Sequence, residues 1–129
     1  PEYDTSFNWA RLFYMYGEGQ NENSLIPQLK RAIISGNKVF NMSGGEQLRD
    51  YLDVKTVTEY ICCIALQTKL NGVVNCCSGK PISIRRLVEK VISEMNSDIT
   101  LNIGYYPYPD YEPLAFWGDV SRLKSIGDI

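Results

Sequence analysis

The sequence predicts an α/β fold with a small mixed sheet and flanking helices. Short apolar segments of strand character alternate with amphipathic segments of helical spacing, an order typical of α/β or α+β proteins rather than of bundles or sandwiches. Hydrophobic residues make up 44% of the 129 positions, which is enough for one compact core. We therefore expect a single domain over residues 1–129.

The predicted strands are short and end in glycine or polar turns. The first, residues 7–15, is rich in aromatic side chains and runs into a turn at Gly17 and Gly19. The others cover residues 38–42, 47–54, 72–77 and 99–106.

Three longer segments space their apolar residues as amphipathic helices do. Ser24 can cap the first, and Gly36 supplies its stop. The second covers residues 55–68, and the third, the clearest, follows Ser83. A Pro-broken aromatic loop then leads into a short helix expected around residues 119–126.

Composition excludes several classes of function. A net charge of −2 gives no electrostatic footprint for nucleic acid or an anionic membrane, and no apolar run approaches the ~20 residues of a membrane span. The absence of histidine rules out Ser-His-Asp and Cys-His sites within the chain. The cysteines form two adjacent pairs, Cys62-Cys63 and Cys76-Cys77, without zinc-ligand spacing. They are expected to be reduced, mostly buried thiols of a cytoplasmic protein that binds no metal.

Arg49, in GEQLRDYLDV, is the strongest single candidate for a binding residue. A cation inside an apolar strand needs a partner, because an unpaired buried charge is costly. That partner is either a carboxylate of the fold, such as Asp50 or Asp53, or a phosphate, which a guanidinium fork suits well. The first alternative is the commoner one in proteins.

Two weaker candidates are a helix start and a tyrosine-rich tail. The N–H groups at Ser24-Leu25, after the GEGQNEN turn, form a natural phosphate site, although most helix starts bind only water. The tail contains four tyrosines that either line a sugar or base pocket or cover the core. They are Tyr105, Tyr106, Tyr108 and Tyr111.

The order of the segments is more specific than any one of them. RLFYMYGEGQ, NSLIPQL, GGEQLRDYLDVKTVTEYI, VVNCCSGKPISIRRLVEKV and FWGDVSRLKSIG follow one another from about Trp9 to Gly127. In this order they resemble the C-terminal part of an extended short-chain dehydrogenase/reductase with a Rossmann-type fold. More narrowly, the chain resembles the NAD-dependent nucleotide-sugar epimerase/dehydratase family.

This resemblance implies a nucleoside-diphosphate sugar as ligand and NAD or NADP as cofactor of the intact parent. Arg49 would bind the diphosphate, Phe40 and Met42 would flank the base, and Phe13 would approach the nicotinamide. Tyr14, which stands where the family usually has asparagine, would reach the pocket through its hydroxyl. The implied substrate-binding set is Tyr14, Asn23, Ser24, Leu25, Phe40, Met42, Arg49 and Tyr108.

The same resemblance places the catalytic machinery before residue 1. We interpret the chain, which begins PEYDTSFN without an initiator Met, as a piece of a longer polypeptide. Residues 1–20 resemble a strand of the cofactor-binding domain, and residues 21–129 the substrate-binding region. By this resemblance the chain lacks the glycine-rich cofactor loop and the Tyr-x-x-x-Lys pair. Neither Tyr14 nor Tyr60 has a lysine four residues on, so neither is the tyrosine of that pair. The chain would hold no cofactor and be inactive alone.

Two further expectations concern the oligomeric state and a second possible function. Unpaired strand edges favour a homo-oligomer. The alternative function is a non-catalytic binding or assembly module, because the segment before FWGD lacks the second phosphate-binding arginine that the family usually has.

Overall fold

The structure is a computed structural model that describes residues 5–127. Within this range the chain forms two compact units. The first contains the residues up to Gly17, Asp50–Pro81 and the residues from Trp117 onward. The second contains Glu18–Arg49 and Ile82–Phe116. The chain therefore passes from one unit to the other four times.

The described residues contain eight short strands and four helices, joined by turns and loops. The strands are β1 (Asn8–Leu12), β2 (Tyr14–Tyr16), β3 (Val39–Asn41), β4 (Leu48–Arg49), β5 (Tyr51–Asp53), β6 (Gly72–Cys76), β7 (Ile82–Ser83) and β8 (Thr100–Asn102). The helices are α1 (Leu25–Ile34), α2 (Val54–Leu66), α3 (Ile84–Glu94) and α4 (Ser121–Lys124). The predicted α/β class is confirmed.

The first unit is built on two parallel strand pairs. β1 pairs with β6 and β2 with β5, while α2 contacts both pairs and α4 contacts β6. Its core cluster consists of Ile64 of α2, Val74 of β6 and Leu123 of α4, each at most 3% exposed. One apolar residue from each of these three elements therefore meets in this core.

The second unit contains one parallel and one antiparallel pair. β3 pairs with β8 in parallel, and β4 pairs with β7 in antiparallel orientation. Helix α1 contacts α3, and their buried residues include Leu29 and Val88, both fully inaccessible to solvent. Ser83 caps α3, since its Oγ accepts a hydrogen bond from the Arg86 N–H at 3.1 Å. Ser24 stands at the N-cap of α1 but makes no side-chain capping bond.

Two segments that were predicted as continuous strands are each divided into two strands. Residues 7–15 were expected to form one strand, yet the chain changes partner at Phe13, whose N–H bonds the Cys76 carbonyl before β2 begins to pair with β5. Residues 47–54 divide into β4 and β5 at Asp50, whose carboxylate accepts a hydrogen bond from the Ser78 N–H. In both places the strand is interrupted where a residue far along the chain is the hydrogen-bond partner.

Other boundaries are shorter than predicted. The strand expected over 99–106 stops at Asn102, and the N–H groups of Tyr105 and Tyr106 turn back to the Met42 carbonyl. The helix expected around 119–126 is the single turn α4. β7, a strand of two residues, was not predicted. No helix within residues 5–127 has the length and apolar character to cross a membrane.

Candidate functional site

The Arg49 guanidinium is buried and partnered inside the second unit. Its side chain is only 2% exposed. Nη2 donates to Glu112 Oε1 at 2.8 Å and to the Pro113 carbonyl at 2.7 Å, and Nη1 donates to the Leu48 carbonyl at 2.8 Å. The carbon at the centre of the guanidinium lies 4.6 Å from the centroid of the Phe116 ring, a cation–π distance. Carboxylate, carbonyls and ring thus fix the cation in one orientation.

The segment that covers Arg49 belongs to the aromatic loop, defined here as residues 105–116. Its last residues lie along β4, because the Leu48 N–H donates to the Leu114 carbonyl at 2.9 Å and the Phe116 N–H donates to the Leu48 carbonyl at 3.2 Å. Farther back, the Tyr108 hydroxyl accepts from the Glu46 N–H at 3.1 Å. These three hydrogen bonds hold the loop against β4 and the segment that precedes it.

The four tyrosines of the aromatic loop are exposed rather than buried. Tyr108 is 38% exposed and Tyr111 is 90% exposed, while Tyr105 and Tyr106 meet edge to face with centroids 4.8 Å apart. Of the four, Tyr108 alone contacts the Gly44–Glu46 segment through a hydrogen bond that the structure records. Of the two alternatives for the tyrosines, covering the core is therefore wrong, because the residues that cover Arg49 are the last five of the loop.

The start of α1 follows a turn that satisfies part of its own backbone. The Asn23 N–H donates to Asn21 Oδ1, and the Ser24 N–H donates to the Asn21 carbonyl, both at 2.9 Å. Pro27 has no N–H to donate. Within the first turn of the helix, the donors that can serve a ligand are consequently those of Leu25 and Ile26.

Phe40 and Met42 are core residues of the second unit, 9% and 2% exposed. On β3 the side chains alternate, so Val39 and Asn41 point to the opposite, exposed face. An open groove of 420 Å³ lies beside α1 and β3, and its lining includes Phe40, Asn41 and Tyr106. Any contact of Phe40 or Met42 with a nucleotide base would therefore be made from within a packed layer.

Phe13 and Tyr14 belong to the first unit, whereas the other seven predicted site residues belong to the second. The Tyr14 ring stacks on Tyr51 with centroids 5.4 Å apart, and it is 44% exposed. The Phe13 ring packs close to Gly118, where an added Cβ would lie 2.9 Å from the ring.

Asp50 and Asp53, the two carboxylates considered as partners of Arg49, make their hydrogen bonds elsewhere in the fold. Asp50 is inaccessible to solvent and its two oxygens accept four hydrogen bonds, from the Ser78 N–H and hydroxyl and from the N–H groups of Gly79 and Gly118. Asp53 caps α2 by accepting from the Lys55 N–H at 2.7 Å. Neither carboxylate is the partner of Arg49.

Sequence reasoning missed three features near the predicted site. Glu112, the carboxylate partner of Arg49, lies 63 positions along the chain, and no local pattern marks it. Gln47 is 8% exposed and its Oε1 has no hydrogen-bond partner within the described residues, a signal visible only in three dimensions.

The third feature is a Tyr-x-x-x-Lys spacing at Tyr51 and Lys55, whereas the expectation that the catalytic pair is absent considered only Tyr14 and Tyr60. A four-residue spacing brings two side chains into contact within a helix, whereas along a strand it leaves them about 13 Å apart. Here Tyr51 lies in β5 and Lys55 in α2, with Asp53 capping the helix between them. The spacing alone therefore does not make this pair a catalytic one.

The described residues do not fit a dinucleotide cradle. The Gly17-Glu18-Gly19 turn follows β2, but α1 begins only at Leu25 and the third glycine of a G-x-G-x-x-G turn is missing. Nor do residues 5–127 bring together three or more Cys, Asp or Glu side chains as metal ligands.

The thiols correct one expectation, since only Cys76 and Cys77 are buried while Cys62 and Cys63 are exposed on α2. Burial, reinforced by the nearby Asp50 carboxylate, raises the pKa of the Cys77 thiol to about 11. Burial also raises the pKa of Cys76. Both groups therefore stay protonated, and poor nucleophiles, at neutral pH.

We expect a thiol-specific reagent at pH 8 to modify Cys62 and Cys63 rapidly and the buried pair only on unfolding. Because the folded pKa of Cys77 exceeds the unfolded one, its contribution to stability is present below the unfolded pKa and is lost as the pH rises toward 11. Mass spectrometry of the native and the urea-unfolded chain would count the modified thiols. Equal labelling of all four cysteines in the native chain would contradict this assignment.

Comparison with known proteins decides the family. The sequence model of the NAD dependent epimerase/dehydratase family matches residues 1–77. The chain belongs to this family. The resemblance derived from the five ordered segments is thus confirmed.

Two curated relatives and one solved structure are similar to most of this chain. The dTDP-6-deoxy-L-talose 4-dehydrogenase (NAD(+)) of Aggregatibacter actinomycetemcomitans is 32% identical over 115 residues, 89% of this chain and 42% of the relative. The GDP-6-deoxy-D-talose 4-dehydrogenase of the same organism is 25% identical, over 91% of this chain and 40% of the relative. The UDP-N-acetylglucosamine 4-epimerase of Methanobrevibacter ruminantium, solved with UDP-N-acetylmuramic acid, has a TM-score of 0.83 at 29% identity.

That epimerase is aligned over 96% of this chain and 40% of its own length. A UDP-glucose 4-epimerase from Thermotoga maritima, 20% identical with a TM-score of 0.81, shows the shared fold alone, over 96% of this chain and 40% of that one. The chain spans about two fifths of the length of the curated relatives that it matches.

Proposed function

We propose that this chain supplies the nucleotide-sugar-binding part of an NAD(P)-dependent epimerase, dehydratase or reductase. Supporting the ligand class, the relatives above are named for dTDP-, GDP- and UDP-linked sugars. Those nucleotides differ in base and in sugar, but all three carry a diphosphate. A group that binds the diphosphate is therefore the part of the site that relatives with different substrates would share.

The observation that carries the proposal is the buried, oriented guanidinium of Arg49. A cation at 2% exposure is costly unless it is paired, and replacing a buried ion pair by apolar residues is often neutral or stabilising. Stability alone therefore does not require an arginine here. A planar fork held by carbonyls and the Phe116 ring suits bidentate binding of a phosphate.

The remaining site residues are proposed around that anchor. The Asn23-Ser24-Leu25 helix start would face the diphosphate, with Phe40 and Met42 behind the base and Tyr108 beside the head group. Tyr14 would reach the sugar and Phe13 the nicotinamide side. NAD or NADP would be held by the parent protein, with residues 1–20 in its cofactor-binding domain and residues 21–129 in the substrate-binding region. A cytoplasmic location and a homo-oligomeric state stay predictions.

Calorimetric titration of the 129-residue chain with UDP, GDP, dTDP and inorganic pyrophosphate tests the proposal. We expect Arg49→Lys to weaken binding of all four by roughly 10-fold or more, because a lysine keeps the charge but loses the fork. Arg85→Lys is the matched control, since Arg85 pairs with Glu89 at the surface of the same unit. Equal affinities for the wild type and Arg49→Lys would remove Arg49 from the site.

A non-catalytic binding or assembly module is the second candidate. It is favoured by the aromatic loop, which has tyrosine and proline where the family usually has a second arginine, and by the occupation of Arg49 by Glu112. Under this alternative neither the wild type nor any arginine variant binds a nucleoside diphosphate.

A further inference from the structure

The donors of Arg49 are occupied in a way that bears on ligand entry. A guanidinium presents two forks, one formed by Nε and Nη2 and the other by Nη1 and Nη2. Nη2 belongs to both forks, and its two hydrogen bonds go to Glu112 Oε1 and the Pro113 carbonyl. Bidentate binding of a phosphate through either fork therefore requires one of these acceptors to leave.

The two acceptors differ in how firmly they are held. The Pro113 carbonyl is part of the backbone, and the residues that follow it are fixed to β4. The Leu48 N–H donates to the Leu114 carbonyl, and the Leu48 carbonyl accepts from the Phe116 N–H. The Glu112 carboxylate is on a side chain that is 32% exposed, so it can leave by rotation into solvent without moving the backbone. Glu112 is the acceptor that a ligand would displace.

The charges of the pair also identify Glu112 as the group that a ligand would displace. Glu112 neutralises Arg49 at an N···O distance of 2.8 Å. A diphosphate brought to the same nitrogen would stand beside that carboxylate as a second anion, and like charges at such separations repel strongly when partly desolvated. The diphosphate and the Glu112 carboxylate therefore compete for one cation.

We propose that Glu112 is an internal competitor for the diphosphate: its carboxylate occupies Arg49 in the free chain, and the ligand displaces it. This inference rests on the proposed function, because it takes the diphosphate as the ligand of Arg49. In this arrangement Glu112 lowers the affinity for every diphosphate ligand alike, whatever the base or the sugar. It also keeps the buried cation paired when no ligand is bound.

The test compares Glu112→Gln with the wild type by calorimetric titration with pyrophosphate and UDP. Removing the charge while keeping the size should tighten binding of both ligands about 3- to 30-fold, which is equivalent to ~0.6–2 kcal/mol. Glu89→Gln is the matched control, because Glu89 is 39% exposed and pairs with Arg85 and Arg86 away from the site. Glu89→Gln should leave both affinities unchanged.

Glu112→Asp keeps the charge but shortens the side chain by one methylene, and it serves if Glu112→Gln does not fold. It too should bind pyrophosphate more tightly than the wild type. Unchanged or weaker binding by the folded Glu112 variants, with the wild type binding normally, overturns the competition and leaves the proposed function standing. Absence of binding by the wild type and by every Glu112 variant overturns the proposed function itself.

Discussion

Replacing Asp50 with asparagine is expected to lower the free energy of unfolding by about 3 kcal/mol or more, since hydrogen bonds to a buried charged group are worth ~1.5–3 kcal/mol each. The carboxylate accepts four hydrogen bonds from Ser78, Gly79 and Gly118, and three of the donors are backbone N–H groups, which cannot accept. An amide turns one of the two oxygens into a donor group. That group would face the N–H groups of Gly79 and Gly118 in one orientation and the Ser78 N–H in the other, and it would leave these backbone donors without a partner.

The matched control is Asp53→Asn, three residues along the same segment. Asp53 accepts one capping hydrogen bond, from the Lys55 N–H, and asparagine is about as good an N-cap as aspartate. Urea unfolding followed by circular dichroism should therefore give a midpoint close to the wild type for Asp53→Asn and a much lower one for Asp50→Asn. Similar midpoints for the two variants would show that the four-bond network around Asp50 contributes little.

The second large effect is expected at Gly45, in the turn that leads into Arg49. Its φ of +70° is unfavourable for any residue with a Cβ, and an added Cβ would lie 2.8 Å from both the Arg85 Cβ and the Met42 Cε. Its carbonyl accepts from the Arg85 N–H at 2.9 Å, which ties the turn to the start of α3. Gly45→Ala should cost about 2–5 kcal/mol, combining ~1–2 for the left-handed backbone with ~1–3 for overpacking.

Gly36→Ala separates the two contributions. Gly36 follows α1 in the same unit with a φ of +76°, and an added Cβ there would meet no atom within 4 Å. It should cost about 1–2 kcal/mol, the backbone contribution alone. The difference between the two thermal-unfolding measurements then gives the packing contribution at Gly45, and equal losses would mean that Arg85 and Met42 move aside freely.

The helices could be predicted from the sequence because their signals are local. Apolar spacing and a capping serine locate α3, and Ser83 makes the expected bond to the Arg86 N–H. Strand boundaries depend instead on partners far along the chain. The change of partner at Phe13 follows from where β6 ends and β5 begins, which no window of ten residues around Phe13 contains.

The candidate site likewise contains features with a local signal in the sequence and features that depend on distant residues. The arginine in RDYLDV could be singled out because a cation in an apolar segment requires a partner. Its actual partner in the fold, Glu112, lies in a loop of prolines and tyrosines whose path is decided by the backbone bonds of Leu48. The burial of Gln47 and the inward direction of Phe40 likewise depend on packing that the sequence does not display.

The pairing of β1 with β6 also bears on the order in which the chain can fold. Arg11 and Asn75, hydrogen-bonded across this pair, are 64 positions apart. Non-local parallel pairing is slow, because the intervening loop must close before any contact rewards it. During synthesis, Trp9 and its strand leave the ribosome long before β6 exists. In that interval the strand edge is open to other chains, so this topology makes a nascent chain more vulnerable to association than a finished one.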